Sequence, residues 1–519
     1  MIPNGHAWIP RHATYHSMLR ILLLMKAASC NKRLAALYTI ALLLWDAASV
    51  HAAEAPLHAL LIGGGPDTND NGAEIESHLR YAAQLLPPGT NCFIHFTDGK
   101  SRAKTVSFTD SAKLKPGRRA LNVLLPDNDF GPETQTRAPK LGVKINGAAQ
   151  LDPIRRSVGR LVGNVAKQPA PALIYFAGHG SHNTRNEENN YFNLWDQERF
   201  YVSNLSAELA RLPASTPIVL VMVQCYSGAF ANVIFRHADP SNELDDHDIA
   251  GFFAAAKDRT AAGCGSETNE PDYQDFSSYF FGALSGRDRA GQPIDGADYD
   301  GNRTVSLHEA FCFALIHDGS SDTPTCTSDA FLRRFASVPD PELYATPFEK
   351  IMAAATPAQR AVLKALSEQL ELSGEDRFRA AYDRLTFRQP IPRTSVQDRV
   401  YECGKALNDL RQQTLSSLFS RWPALRWSES DEYDDAAENA ERELNADPAL
   451  CEKILESQRT FYRADSVMEN EDAFLRRFTT LCASVVRAEN LRSTADPRIK
   501  ARYEKLCASE QRSLPLANP

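Results

Sequence analysis

Three apolar runs, each closed by glycine or by a small polar turn, constrain most tightly what this chain can fold into. They are HALLIGGG (His58 to Gly65), ALIYFAGHG (Ala172 to Gly180) and PIVLVMVQC (Pro217 to Cys225), the last followed by Tyr226, Ser227 and Gly228. Runs so nearly continuous in apolar and β-branched residues suit strands covered on both faces, as parallel strands beneath helices are. Helical periodicity fills the intervals at Ala73 to Leu86, Ile154 to Val165 and Asn204 to Leu212. Further strands are expected at Asn91 to Gly99 and Ile249 to Ala256, whereas Ala120 to Asn128 reads as a strand or as part of an irregular insertion. The alternation predicts an α/β fold with a mostly parallel sheet flanked by helices.

After about Pro339 strand signals stop and an all-α C-terminal domain is expected, giving segments 1–52, 53–339 and 340–519. Thr356, Pro357 and Gln359 form a helix start with a capping box, and long amphipathic patterns cover Val396 to Phe419, Ala449 to Arg463, Glu469 to Leu491 and Pro497 to Gln511. The heptapeptide DAFLRRF occurs at Asp329 to Phe335 and again at Asp472 to Phe478, but its surroundings do not match and no repeat is assigned.

From Met25 the order is basic residues (Lys26, Lys32, Arg33), an apolar run from Leu34 to Trp45, and Val50-His51-Ala52. That order is the pattern of a secretory signal peptide, with an apolar core short for a membrane span. The stretch before Met25 fits no targeting pattern and suggests a mis-assigned start. The expectation is an exported, periplasmic or secreted protein with no membrane attachment after signal removal. A formal net charge of -8 and the lack of a long basic block argue against nucleic acid as a partner. Beyond Cys30 the chain keeps Cys92, Cys225, Cys264, Cys312, Cys326, Cys403, Cys451, Cys482 and Cys507. In an oxidising compartment this odd set implies one free thiol, and with Cys225 set aside the others form an even set open to disulfide pairing.

Two of the strands end in reactive side chains. Ala172 to Ala177 runs into Gly178, His179 and Gly180, and Ile218 to Val223 runs into Gln224 and Cys225. Parallel sheets bind ligands beyond the carboxyl ends of their strands, so neighbouring strands would bring His179 and Cys225 to one crevice. A helix expected from Ala229 would favour thiolate over thiol at Cys225, and His179 would deliver a proton to a leaving amine. The main-chain N–H groups of Gly180 and Cys225 are the candidate oxyanion hole.

YFAGHGS, followed by QCYSG with 46 positions from His179 to Cys225, resembles the His-Gly and Cys dyad of caspase-like cysteine peptidases. The stretches from Leu60 to Leu86 and from Ala254 to Leu284 resemble bacterial relatives of the legumain-type members, so the likeness spans roughly Leu57 to Phe335. The resemblance implies a cysteine endopeptidase with His179 and Cys225 as dyad, a peptide or protein substrate and no required cofactor. QCYSG departs from the QACRG-type sequence of caspases, so their aspartate specificity does not carry over.

In this fold part of the pocket wall follows the strand after the nucleophile. Here that segment carries Glu267, Glu270, Asp272 and Asp275, which would favour a basic residue on the acyl side of the scissile bond. A solvated acidic loop is the plainer reading, and legumain-like enzymes take asparagine. In DYDGNRTVSLHE, residues Asp298, Asp300, Asn302, Thr304, Ser306 and Glu309 fall on calcium-loop positions, but Arg303 replaces the turn glycine. A polar turn with Ser306 as N-cap and Glu309 closing a capping box is the preferred reading. The helical domain has no catalytic motif, and legumain-type enzymes suggest that it covers the site or docks a partner.

Overall fold

The computed structural model describes residues 57–128, 130–131, 133–387 and 395–517, so the expected signal segment lies outside the described residues. The sheet strands are β1 (His58–Gly64), β2 (Asn91–Phe96), β3 (Ala172–Gly178), β4 (Pro217–Met222), β5 (Asp248–Phe253) and β6 (Thr325–Cys326). They lie in the order β2-β1-β3-β4-β5-β6, parallel throughout except for β6, which runs antiparallel to β5. The α/β class and the mostly parallel sheet expected from the apolar runs are present.

Alternate residues of each strand enter two different cores. Ala59, Leu61, Tyr175 and Val221 face one side, and Leu60, Ile62, Phe176 and Met222 the other. All seven residues of β1 and of β3 are buried, which is why neither reads as half-polar in sequence. On the first face lie α1 (Ala73–Gln84), α5 (Phe276–Ser285) and α6 (Leu307–His317). On the second lie α3 (Leu151–Lys167), α4 (Val202–Leu209) and α7 (Thr327–Phe335). The ambiguous segment near Ala120 is helix α2 (Pro116–Leu124), opened by Pro116 and burying Ala120, Leu121 and Leu124.

The region after residue 339 is all-helical as expected: α8 (Asp340–Tyr344), α9 (Phe348–Ala354), α10 (Pro357–Gln369), α11 (Arg377–Phe387), α12 (Ser395–Arg421), α13 (Tyr433–Ala446), α14 (Pro448–Glu469), α15 (Glu471–Thr494) and α16 (Pro497–Glu510). The Thr356–Gln359 capping box is formed. These helices do not stand apart from the sheet. Val362, Leu366, Phe474 and Phe478 extend the first core, and Leu491 and Tyr503 extend the second. The described residues accordingly cluster as one compact unit. A third core joins α2 to α12, α13 and α14. Even the last described residues are tied in, the Ala517 N–H donating to the Leu85 carbonyl at 2.7 Å. Among the described residues no helix is long and apolar enough to cross a membrane.

Candidate active site

Sheet order reverses between β1 and β3, because β1 leads outward to β2 and the chain then returns to β3 on the opposite side. Such a reversal opens a crevice at the carboxyl ends of the strands. β3 and β4 are neighbours, paired with Phe176 opposite Met222, and the Val223 N–H still donates to the Phe176 carbonyl at 3.0 Å. That register is an offset of 46 residues, the same as the separation of His179 and Cys225. Three residues beyond the last formal pair, the same offset brings the main chain at 179–180 and at Cys225 together at the carboxyl end of the sheet, where a Cβ on Gly180 would lie 2.1 Å from the Cys225 carbonyl oxygen.

The flanking glycines are required by this approach. Gly178 has φ +151°, and a Cβ there would meet the Gly64 carbonyl at 2.5 Å. A Cβ on Gly180 would lie 2.1 Å from the Cys225 carbonyl oxygen. Only glycine lets the end of β3 pass this close to β1 and β4.

The turn after Cys225 differs from expectation. Tyr226 takes a left-handed conformation (φ +60°), and a 3₁₀ helix spans Ser227–Ile234 in place of an α-helix from Ala229. Small residues pack it against the end of β5, where a Cβ on Gly228 would strike the Ala255 carbonyl at 2.7 Å. The Ser227 hydroxyl also accepts the Ala255 N–H at 3.1 Å.

The electrostatics also reverse one expectation. Burial pushes the Cys225 thiol above its ordinary range. Main-chain groups of Ala261, Cys225 and Gly180 oppose the rise, and the Asp322 carboxylate adds to it. The Ala261 N–H donates to Sγ at 3.3 Å, and Sγ lies 3.7 Å from the Ala261 carbonyl. Burial likewise pulls the His179 imidazole below its usual range, against the carboxylates of Asp70 and Asp67 and the Asp70 carbonyl. Both shifts favour the uncharged forms, thiol at Cys225 and imidazole at His179, against the expected thiolate. His179 Nε2 is buried with no hydrogen-bond partner among the described residues.

Sequence reading missed two contributors. The loop after β1 brings Asp67 and Asp70 to His179, and its buried Asn71 accepts the Gly65 N–H at 3.2 Å while donating to the Thr105 carbonyl at 2.5 Å. The position of this loop beside a reversal in strand order was the available signal. Gln224 is 0% exposed, and neither its Oε1 nor its Nε2 has a partner among the described residues. Leaving an amide so placed is costly, and no sequence pattern announces it.

The acidic loop is engaged elsewhere. Glu267 accepts the Ser111 hydroxyl at 2.7 Å. Glu270 pairs with Arg80 and lies 3.7 Å from Arg289. The Asp272 backbone closes a short 3₁₀ turn, and its side chain lies outside the described residues. Asp275 is buried as the N-cap of α5, accepting the Ser278 N–H at 3.0 Å. Burial raises the Asp275 carboxyl, but His78, Arg289 and the Ser277 and Ser278 hydroxyls outweigh that and hold it down at about 2. Glu267, Glu270 and Asp275 therefore each have their own donors or cations. Glu74 stands against the same loop, accepting the Gly265 N–H at 2.6 Å.

In the candidate cation loop, the carboxylates of Asp298, Asp300 and Glu309 lie within 4.8 Å of one another, a set of oxygens able to hold a hard cation. All three also accept main-chain N–H groups, as Asn302 does from Thr304 at 2.8 Å. The capping box is formed: Ser306 Oγ accepts the Glu309 N–H at 3.2 Å, and Glu309 Oε2 accepts the Ser306 N–H at 2.9 Å. Arg303 takes the left-handed turn position at φ +73°, held by its N–H to Asp298 at 2.7 Å. The nine described cysteines are all free thiols, and Cys451, Cys482 and Cys507 fall in three different cores.

No family model and no curated protein matches the chain. Among solved structures, protein GSU0716 from Geobacter sulfurreducens aligns over 52% of this chain and 92% of its own length, at 13% identity and a TM-score of 0.27, a likeness too slight to bear on fold or activity.

Proposed function

We propose that the chain is an exported cysteine endopeptidase of the caspase-like kind, with Cys225 as nucleophile and His179 as acid and base. The observation that supports the reading is the β3–β4 register, whose 46-residue offset brings the strand ends that carry His179 and Cys225 together beside a strand-order reversal. In this reading His179 takes the Sγ proton as sulfur attacks the scissile carbonyl carbon. Charge then moves to the carbonyl oxygen, for which the Gly180 and Cys225 N–H groups are the proposed donors. The C–N bond breaks, and His179 passes its proton to the departing amine. Water, activated by the same imidazole, hydrolyses the thioester and returns the thiol. The chemistry needs no cofactor, and the substrate is a peptide or protein.

The test is a peptide-library cleavage profile of the unaltered protein beside Cys225→Ala and His179→Ala. Cleavage lost in both variants supports the reading. Cleavage that survives Cys225→Ala overturns it, and no cleavage together with no labelling by a thiol-directed peptide probe leaves a catalytically silent binding protein. An added amine nucleophile separates hydrolase from ligase, since the thioester is open to either.

A further inference from the structure

Residues Ala261 and Ala262 lie beside Cys225, and their main chain is held by a buried carboxyl group. Asp322 is 0% exposed, and its two carboxylate oxygens accept the Ala262 N–H at 2.7 Å and the Phe276 N–H at 3.0 Å. One carboxylate thus ties the segment next to Cys225 to the first turn of α5. The turn that carries Asp322 is clamped in its own right by Arg477 of α15, the largest fully buried side chain described. Arg477 Nε donates to the Asp322 carbonyl at 2.8 Å, and its two terminal nitrogens donate to the carbonyls of Asp318 at 2.6 Å and Ser320 at 2.9 Å. Its guanidinium also lies 3.3 Å from the Asp318 carboxylate, which accepts the Ser320 N–H at 2.9 Å.

Such an arrangement is expensive as stability alone, because buried ion pairs seldom repay their desolvation. It does fix the position of main chain to a fraction of an ångström, which is what a hydrogen bond to sulfur needs. We propose that Asp322, held by Arg477, is a positioning residue for Cys225: it sets the 261–262 main chain so that the Ala261 N–H points at Sγ. The inference rests on the peptidase reading for its catalytic meaning, while the clamp itself is independent of that reading. The helical region would then be part of the site's scaffold and not a removable cover.

Asp322→Asn tests this with little change of shape. The amide can accept only one of the two N–H groups, and its NH₂ confronts the other. Burial and then the neighbouring Asp318 carboxylate raise the Asp322 carboxyl to about 8, and any negative charge it carries disfavours the thiolate, so a neutral amide in its place does not by itself lower thiol reactivity. A fall in reactivity therefore reports lost positioning. In the full-length variant, alkylation of Cys225 by iodoacetamide, read on the Cys225 peptide by mass spectrometry, is expected to fall about fivefold, the weight of one ordinary hydrogen bond. Amide hydrogen exchange across residues 258–265 is expected to quicken several-fold. Unchanged or faster alkylation, or unchanged exchange, overturns the proposal. Arg477→Lys, which keeps the charge but loses the fork of donors, should move both readouts the same way and serves if Asp322→Asn does not fold. If the unaltered protein cleaves no peptide, the peptidase reading fails while the exchange measurement still decides the clamp.

Discussion

Gly180→Ala should disable the site while leaving most of the fold in place. The added Cβ would lie 2.1 Å from the Cys225 carbonyl oxygen and 2.6 Å from Gln224 Cγ, whereas real Cβ atoms essentially never come closer than 3.0 Å. The ends of β3 and β4 must therefore part by about 1 Å, a displacement that costs reacting groups about 100-fold in rate. Overpacking of this kind costs about 1–3 kcal/mol of stability. Gly163→Ala is the control: it lies within α3, a Cβ there meets nothing within 4 Å, and the exchange should stabilise by about 0.5–1 kcal/mol. The assay is kcat and KM on a peptide found by the library profile, with urea unfolding of each variant alongside. The expected result is a fall of about 100-fold in kcat for Gly180→Ala, with cooperative unfolding retained, and an unchanged rate for Gly163→Ala. Wild-type kcat in Gly180→Ala would refute the reasoning, because it would mean that His179 and Cys225 need not face each other across this contact.

The acid limb of the kcat/KM profile should lie below 6.5, because burial disfavours the His179 imidazolium and the imidazole must be neutral to accept the thiol proton. Asp70→Asn removes a carboxylate that favours the imidazolium and should move that limb lower still; a shift upward would contradict the assignment. Ser306→Ala should cost about 1 kcal/mol in urea unfolding through loss of the α6 cap. A chain ending after Pro339 should yield no cooperative thermal transition by circular dichroism, since it lacks Phe474, Arg477 and Phe478 from the buried interior. A folded, more active fragment would instead favour a detachable cover.

The strands were legible because burial on both faces leaves a near-unbroken apolar run, and β1, β3 and β4 fall within a residue or so of the expected positions. The long helices were legible through their caps and periodicity. The nearness of the two strand ends was legible because glycines and a turn mark both of them. The thiol's protonation state was not, since it depends on how deeply Cys225 sits and on the 3₁₀ turn that small residues permit. Nor was the clamp, and the duplicated DAFLRRF shows why. In α7 its two arginines, Arg333 and Arg334, are exposed, whereas in α15 the matching Arg477 is 2% exposed and makes five hydrogen bonds. Identical local sequence gives opposite burial, because the difference lies in what packs against each helix. The partners of the acidic loop were not legible for the same reason: Arg80 reaches Glu270, and His78 lies beside Asp275, from about 190 residues earlier in the chain.

The bond between Ala517 and Leu85 has a temporal side. Synthesis proceeds from the N-terminus at about 5–20 residues per second, and domains generally fold as they emerge. Here His179, Cys225 and all six sheet strands emerge well before α15 supplies Arg477 and the tail near residue 517 reaches back to Leu85, just past α1. On this reading a nascent or truncated chain carries the reactive thiol without the frame that aims it. Competence would arrive only with the final helices, a delay written into chain order that needs no separate inhibitor to enforce it.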